Sequence, residues 1–376
     1  MTADAAGGGR ERAGDTRPVR AGEELRLERL EAWLRENLAE FAEPAEAPNA
    51  SGAAIRVEQF PAGHSNLTYC VTARDGREWV LRRPPLGARV KRGHDMGREF
   101  RILRAIHRQW PKVPRPIIFC ADPAVLGAPF YLMERVRGRI SRGPKKPDWW
   151  RLDAAEMSRR LVATLARIHA LNVEGPEFAE FGRPQGYVKR QVAGWGERYA
   201  KAQTDAIDSM ERVHAWLRER QPAERGAVLI HNDFKYDNLL FDAAGNGEVV
   251  AVLDWEMATV GDPLMDLGTT LAYWVDADDP EPLRQFAFGP TAVPGSLDRA
   301  GVVSAYEEAS GRDVPDAVFY YAFGLYKVAV IAQQIYWRYA QGLTRDPRFA
   351  LLLGAVHLLS GRAEEAIAGG RISAFR

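Results

Sequence analysis

Cysteine is almost absent from this 376-residue chain: only Cys70 and Cys120 occur, each in an apolar or strand-like stretch, with no C-x-x-C pair. That excludes a disulfide framework and a cysteine-based zinc site, and it suits a reducing compartment. An excess of either charge is lacking too, since 51 Lys and Arg face 50 Asp and Glu. A nucleic-acid binder whose affinity rests on a basic surface is thereby disfavoured, and any charge specificity is local. No apolar run is clean enough to span a bilayer; the most apolar stretch, 318–339, is broken by Lys327, Gln333, Gln334 and Arg338 and reads as a buried helix. Residues 1–22, rich in Ala, Gly, Arg and Asp, lack the apolar run of a secretory signal and read as a disordered tail. The expectation is a cytoplasmic protein with neither a membrane nor a nucleic acid as partner.

A chain of this length exceeds what one core usually serves, so two lobes are expected. Leu27, Leu30, Leu34 and Leu38 recur at helical spacing among charges and predict an amphipathic helix. The period then shortens: Leu67, Tyr69 and Val71 alternate, Asp75-Gly76 supplies a turn, and Trp79-Val80-Leu81 follows, which predicts a hairpin. Phe100, Leu103 and Ile106 predict a helix ending before Pro111, and residues 130–133 a buried strand. Past Gly138 the pattern is mainly helical, interrupted by short strands at 228–230 and 249–253. This order predicts an α+β chain with a sheet lobe over 23–136 and a larger helical lobe over 137–376.

The stretch richest in chemistry is His231-Asn232-Asp233-Phe234-Lys235-Tyr236-Asp237-Asn238, followed by a strand and then Leu253-Asp254-Trp255-Glu256. Phosphoryl transfer requires a carboxylate to position the attacking hydroxyl and take its proton. It also requires oxygen ligands that hold Mg²⁺ against the phosphates. Asp233, Asn238 and Asp254 supply that set, in the H-x-D-x-x-x-x-N spacing of a kinase catalytic loop, with a Lys two residues after the Asp.

Together with Gly261-Asp262-Pro263-Leu264-Met265-Asp266-Leu267-Gly268, these segments resemble the aminoglycoside phosphotransferase family. Within it they are most similar to the branch related to the kinase-like domain fused to acyl-CoA dehydrogenases. The resemblance runs over about residues 25–360 and implies a protein-kinase-like two-lobed fold and ATP and Mg²⁺ as cofactors. It makes Asp233 the catalytic base, with Lys235 neutralising the transferred group and His231 as the scaffold of the catalytic set. Asn238 and Asp254 become metal ligands. Asp262 and Pro263 read as helix N-cap and first helical residue. Asp266 is open between anchoring the loop and being an ordinary helical carboxylate. His169 and the aromatics of 319–326 read as core.

In the sheet lobe, Gly63, Ser65 and Asn66 resemble the family's phosphate loop, without the G-x-G-x-x-G of protein kinases. Val80 and Arg82 share a strand face where kinases roof the adenine and grip the phosphates. Arg82 stands in place of the usual Lys, with Glu99 as its expected partner and Arg83 on the opposite, more tolerant face. Glu134 and Val136 occupy the hinge, where backbone groups would bond the adenine edge.

The implied reaction moves the γ-phosphoryl group of ATP to the hydroxyl of a small-molecule alcohol. A regulatory nucleotide-binding pseudokinase and a protein kinase are the alternatives; against the second, Asp-Phe-Gly and Ala-Pro-Glu are missing. Arg142, Lys145, Lys146, Arg183, Lys189, Arg190 and Arg198, interleaved with Tyr187 and Trp195, favour a neutral or anionic acceptor, such as a hydroxyacyl compound, over a polycationic aminoglycoside. Tyr187, Arg190 and Trp195 are the candidate acceptor contacts.

Overall fold

The computed structural model describes residues 15–42, 54–61, 66–85, 95–344 and 346–374. The chain divides into two compact units, Met1–Phe100 with Arg115–Arg135, and Arg101–Pro114 with Val136–Arg376.

In the first unit, α1 (Leu27–Asn37) and the single turn α2 (Ala39–Ala42) precede strands β1 (Ile55–Gln59), β2 (Leu67–Ala73) and β3 (Glu78–Arg83). Helix α3 (Met96–Gln109) begins here, capped by Asp95, whose side chain accepts from the Arg98 amide. Strand β4 (Pro116–Cys120), the turn α4 (Pro123–Leu126) and β5 (Phe130–Glu134) complete it. The sheet order is β1-β2-β3-β5-β4, antiparallel throughout. Register sorts the side chains by face. Tyr69 opposes Leu81, which opposes Leu132, and this apolar face joins Leu30, Leu34 and Phe130 in one core. On the other face Val80 opposes Met133 and Arg82 opposes Tyr131.

Two expectations are corrected in this unit, and strand β4, mostly partly buried and without a clean alternation, was not legible in the sequence. Part of the expected tail is tied down, because Arg17 bridges Gln59 through backbone bonds of 2.9 and 2.7 Å and so extends the β1 edge; residues 1–14 lie outside the described residues. Arg83, expected on a more tolerant face, is instead packed inside. It is 2% exposed, donates to the Leu126 carbonyl at 2.9 Å and lies over the Tyr69 ring, because the face opposite Arg82 is the covered, apolar one.

The second unit contains the remaining half of α3, a departure from the expected 23–136 boundary. Within this unit Arg101 pairs with Glu180 at 2.8 Å, Gln109 bonds the Asn172 carbonyl and the Lys112 carbonyl accepts from Val252, so 101–114 is built into the helical unit. Its helices are α5 (Ala154–His169), α6 (Tyr187–Ala202), α7 (Asp208–Glu219), α8 (Pro263–Tyr273), α9 (Glu281–Gln285), α10 (Arg299–Ser310), α11 (Ala317–Ala340) and α12 (Leu352–Gly369). Two short antiparallel pairs, β6 (Val228–Ile230) with β9 (Thr259–Gly261) and β7 (Leu239–Phe241) with β8 (Val249–Val252), frame the loop of interest. Asp262 caps α8 by accepting from the Leu264 and Met265 amides, with Pro263 in the first turn, as expected. Helices α8 and α11 approach backbone to backbone: a Cβ on Gly324 would stand 2.0 Å from the Gly268 carbonyl oxygen. Among the described residues no helix is long and apolar enough to cross a membrane.

Candidate active site

Chain order brings the loop's polar groups together within a few residues. After β6 the chain turns through Asn232 at φ 67° and reaches Asp233; after β8 it turns through Asp254 at φ 64°. A non-glycine residue in the left-handed region is uncommon, and of the three such residues described two lie here. The pairing of Leu239 with Val252, extended by a 2.8 Å bond from the Leu253 amide to the Asn238 carbonyl, sets the β7 and β8 ends side by side. Asn238 and Asp254 flank that junction.

Asp233 is the centre of the cluster. Its Oδ2 accepts from Lys235 Nζ at 2.5 Å and from Asn238 Nδ2 at 2.9 Å, and Asn238 Nδ2 also reaches its carbonyl at 2.8 Å. Burial works against the ionised form, but the Lys235 ammonium and the hydrogen bonds outweigh it and hold the carboxyl below its usual range. Lys235 is likewise penalised by burial, yet Asp233 and Asp237 raise it above an ordinary lysine. Its Nζ stands 4.7 Å from the Tyr273 ring centroid and 5.5 Å from that of Phe288, which is 43% exposed and stacks edge-on against Tyr273. The cluster therefore presents an ionised carboxylate beside a cation. Next to it, burial, opposed by Lys235 and reinforced by the Asp233 charge, pushes Asp237 up to about 6.

Side chains of α8 and α11 hold four of the loop's backbone groups. Asp266, fully buried on α8, accepts from the His231 amide through Oδ2 and from the Asn232 amide through Oδ1, both at 2.7 Å. His169 Nε2 bonds the same carboxylate at 3.2 Å, and its Nδ1 meets the Tyr306 hydroxyl at 2.7 Å. Burial opposes the Asp266 charge, but the His169 bond leads the interactions that keep the carboxyl below its usual range. Thr270 Oγ1 donates to the Phe234 carbonyl at 3.1 Å. From α11, Lys327 Nζ donates to the Asn232 carbonyl at 2.7 Å. His231 is fully buried, its Nε2 on the Leu253 carbonyl at 2.8 Å and its Nδ1 facing the Asp233 amide at 3.3 Å, so both ring nitrogens serve the backbone.

The other sequence-derived candidates divide by position. In the first unit, Arg82 and Glu99 form a buried ion pair at 2.9 Å, Val80 lies on the same face, and Asn66 is buried at the entrance to β2. Glu134 ends β5 and gives its amide to the Arg115 carbonyl at 2.9 Å. Val136 falls in the second unit. Gly63 and Ser65 lie outside the described residues.

Of the three acceptor candidates on α6, Tyr187 is buried, its hydroxyl 3.3 Å from Asn232 Nδ2, and so joins the loop's support. Trp195 is buried under the Arg198 guanidinium, 4.5 Å from the ring centroid. Arg190 is exposed and donates to the carbonyls of Arg183 and Gln185 in its own connection. The structure does not gather these three around Asp233. It adds instead Tyr273, Phe288 and Lys327, and gives a part to Asp237, seen in the sequence only as a member of the catalytic stretch, and to His169, read there as core; the signal for Lys327 was a charge inside an apolar helical run.

Mg²⁺ is bound by one or two protein carboxylates or amides together with substrate phosphates and water. Asn238 and Asp254, which flank one strand junction, are an amide and a carboxylate of the kind that demand calls for. With Nδ2 of Asn238 directed at Asp233, its Oδ1 is the end left to offer a cation.

The chain is similar to known proteins along most of its length. The profile described as the phosphotransferase enzyme family matches residues 56–300. Human acyl-CoA dehydrogenase family member 11 is 34% identical over 319 residues, covering 83% of this chain; the chain spans only 39% of that relative's length. Among solved structures, a Ralstonia eutropha protein provisionally assigned as an aminoglycoside phosphotransferase superposes with a TM-score of 0.72 at 27% identity, covering 91% of this chain and 99% of the other. Choline kinase from Cryptosporidium parvum shares the fold at 15% identity, with a TM-score of 0.59 over 91% of this chain and 97% of the other.

Proposed function

This chain belongs to the phosphotransferase enzyme family, and we propose that it moves the γ-phosphoryl group of ATP, with Mg²⁺, to a hydroxyl of a small molecule. The observation that carries the reading is the Asp233–Lys235–Asn238 cluster on a loop gripped from below by Asp266 and Lys327. Asp233, kept ionised, orients the acceptor hydroxyl and takes its proton as oxygen attacks phosphorus and the bond to the ADP oxygen breaks. Lys235 offsets negative charge on the transferring group. Asn238 and Asp254 would hold Mg²⁺, which neutralises phosphate charge when bound. In the first unit, Arg82, oriented by Glu99, would pair with the nucleotide's phosphates, Asn66 and Val80 would contact the nucleotide, and the Glu134 backbone would meet the adenine edge.

The acceptor in this reading is neutral or anionic, a hydroxyacyl compound for example, and not an aminoglycoside. The Arg142 charge is among those that oppose the burial-driven rise of the Asp237 carboxyl, which supports a cation near the loop. A pocket of about 200 Å³ lined by Asp276, Asp278 and Asp298 is no ready receptor for ammonium groups. Asp276 is committed to Arg299 at 2.9 Å, and Asp298 accepts from the Gly301 amide as the cap of α10. Similarity to a relative named as an acyl-CoA dehydrogenase family member points the same way.

The test is ADP release under Mg-ATP with hydroxyacyl-CoA esters and with kanamycin as acceptors. Preferred turnover of the esters supports the reading. Efficient turnover of kanamycin, with kcat/KM above about 10⁴ M⁻¹s⁻¹, defeats the acceptor assignment. Absence of any Mg-ATP turnover, hydrolysis included, defeats the enzyme assignment.

A further inference from the structure

We propose that Lys327 is a positioning residue of the reaction: from α11 it holds the carbonyl of Asn232, and so the left-handed turn that delivers Asp233, while Asp266 holds the amide of the same residue. The proposal rests on the assignment of Asp233 as the base. Lys327 is 1% exposed, and its Nζ donates to the Asn232 carbonyl at 2.7 Å, to Asn232 Oδ1 at 3.3 Å and to Thr269 Oγ1 at 3.2 Å. Asp266 takes the Asn232 amide at 2.7 Å. A buried cation and a buried carboxylate, on two different helices, thus grip opposite ends of one residue whose φ is 67°.

Neither ionised group is cheap to bury, and each lowers the other's cost only where the helices bring them close. That closeness has a visible cause. Gly268 and Gly324 meet with no room for a side chain: a Cβ on Gly268 would lie 2.1 Å from the Tyr320 carbonyl oxygen. Lys327 follows Gly324 by one helical turn, and Asp266 and Thr269 flank Gly268, so the glycine contact sets the reach of the ammonium to the loop. A lysine whose only task was to fill the core would be better replaced by leucine or methionine. What a methionine lacks is the donor that fixes the Asn232–Asp233 peptide.

The experiment uses the full chain and compares wild type, Lys327→Met, Lys327→Arg and the double variant Lys327→Met with Asn232→Gly. Glycine adopts positive φ without penalty, so it relaxes the need for an external clamp. Two readouts are taken: acceptor-free Mg-ATP hydrolysis, and hydrogen exchange of the peptide covering 228–238. Lys327→Met is expected to lower kcat by about 10²-fold, with KM for ATP within about threefold, and to speed loop exchange at least about tenfold. Lys327→Arg retains more of both, and Asn232→Gly restores about tenfold of the lost turnover.

Wild-type turnover in Lys327→Met overturns the proposal, as does unchanged loop exchange. Equal loss in all three variants, with no rescue, also overturns it by marking Lys327 as merely structural. If the wild type itself hydrolyses no ATP, the phosphotransferase reading fails on its own. The exchange arm then still decides whether Lys327 holds the loop. Should Lys327→Met not fold, Lys327→Arg and Asn232→Gly alone are read by the same two measurements.

Discussion

Asp266 receives the backbone amide of Asn232 on one carboxylate oxygen at 2.7 Å and that of His231 on the other at the same distance. A single buried side chain on α8 therefore orients two successive peptides immediately ahead of Asp233. Replacing it by asparagine turns one acceptor into a donor facing an amide hydrogen. Asp266→Asn is expected to cost about 3 kcal/mol of stability and to lower kcat by at least about 10²-fold, read by urea unfolding and by ADP release.

Asp233 and Asp254 should fail differently. Asp233→Asn is expected to lower kcat by about 10²–10⁴-fold while Mg-ATP affinity stays within about threefold, since the group acts on the acceptor hydroxyl. Asp254→Ala is expected to weaken Mg-nucleotide binding itself. Titration calorimetry with Mg-ADP beside steady-state kinetics separates the two, and near-normal kcat in Asp233→Asn would show the base to be misassigned.

The Arg82–Glu99 pair is almost wholly removed from water, at 2.9 Å. Arg82→Ala leaves the Glu99 carboxylate without its guanidinium and is expected to cost about 3–5 kcal/mol together with a raised KM for ATP. Arg82→Lys should recover part of the KM, because the charge persists while the planar fork that pairs bidentately with phosphate does not. A thermal melt and an ATP titration check both.

Arg83, one residue on, should prove intolerant for a different reason. Its guanidinium bonds the Leu126 carbonyl and covers the Tyr69 ring inside the apolar layer. Arg83→Ala is expected to lose about 2 kcal/mol, with no change in KM for ATP, whereas Arg83→Met, which keeps the packed stem, should lose less.

Burial lowers Lys327 from 10.5 to about 8, against the pull of Asp266 and Asp233. The unfolded chain therefore binds the extra proton between those two values, and stability should rise with pH across that window. The rise in urea midpoint from about pH 7.5 to about pH 9.5 is expected to be smaller in Lys327→Met than in wild type. An identical rise in both would place the titration elsewhere.

The cluster around Asp233 was legible in the sequence because its members are close in the chain. Lys235 and Asn238 reach Asp233 across two and five positions, and a turn plus one short strand pair suffices to join them. The Asp262 cap and the hairpin of β2 and β3 were readable for the same reason, local chemistry dictating local geometry. Strand β4 and the covering of Arg83 were not, since each depends on which face another element covers.

What supports the loop was decided by tertiary structure alone. Asp266 lies 34 residues from Asn232, and Lys327 lies 95 residues from it. Sequence showed the first as an ambiguous helical carboxylate and the second as a flaw in an apolar helix. Only the packing of α8 on α11, held close where Gly268 meets Gly324, turns those two charges onto opposite ends of one residue. A long-range partner is specified by the distance between helices, and that distance is the outcome of the whole core's packing, which no local spacing of residues records.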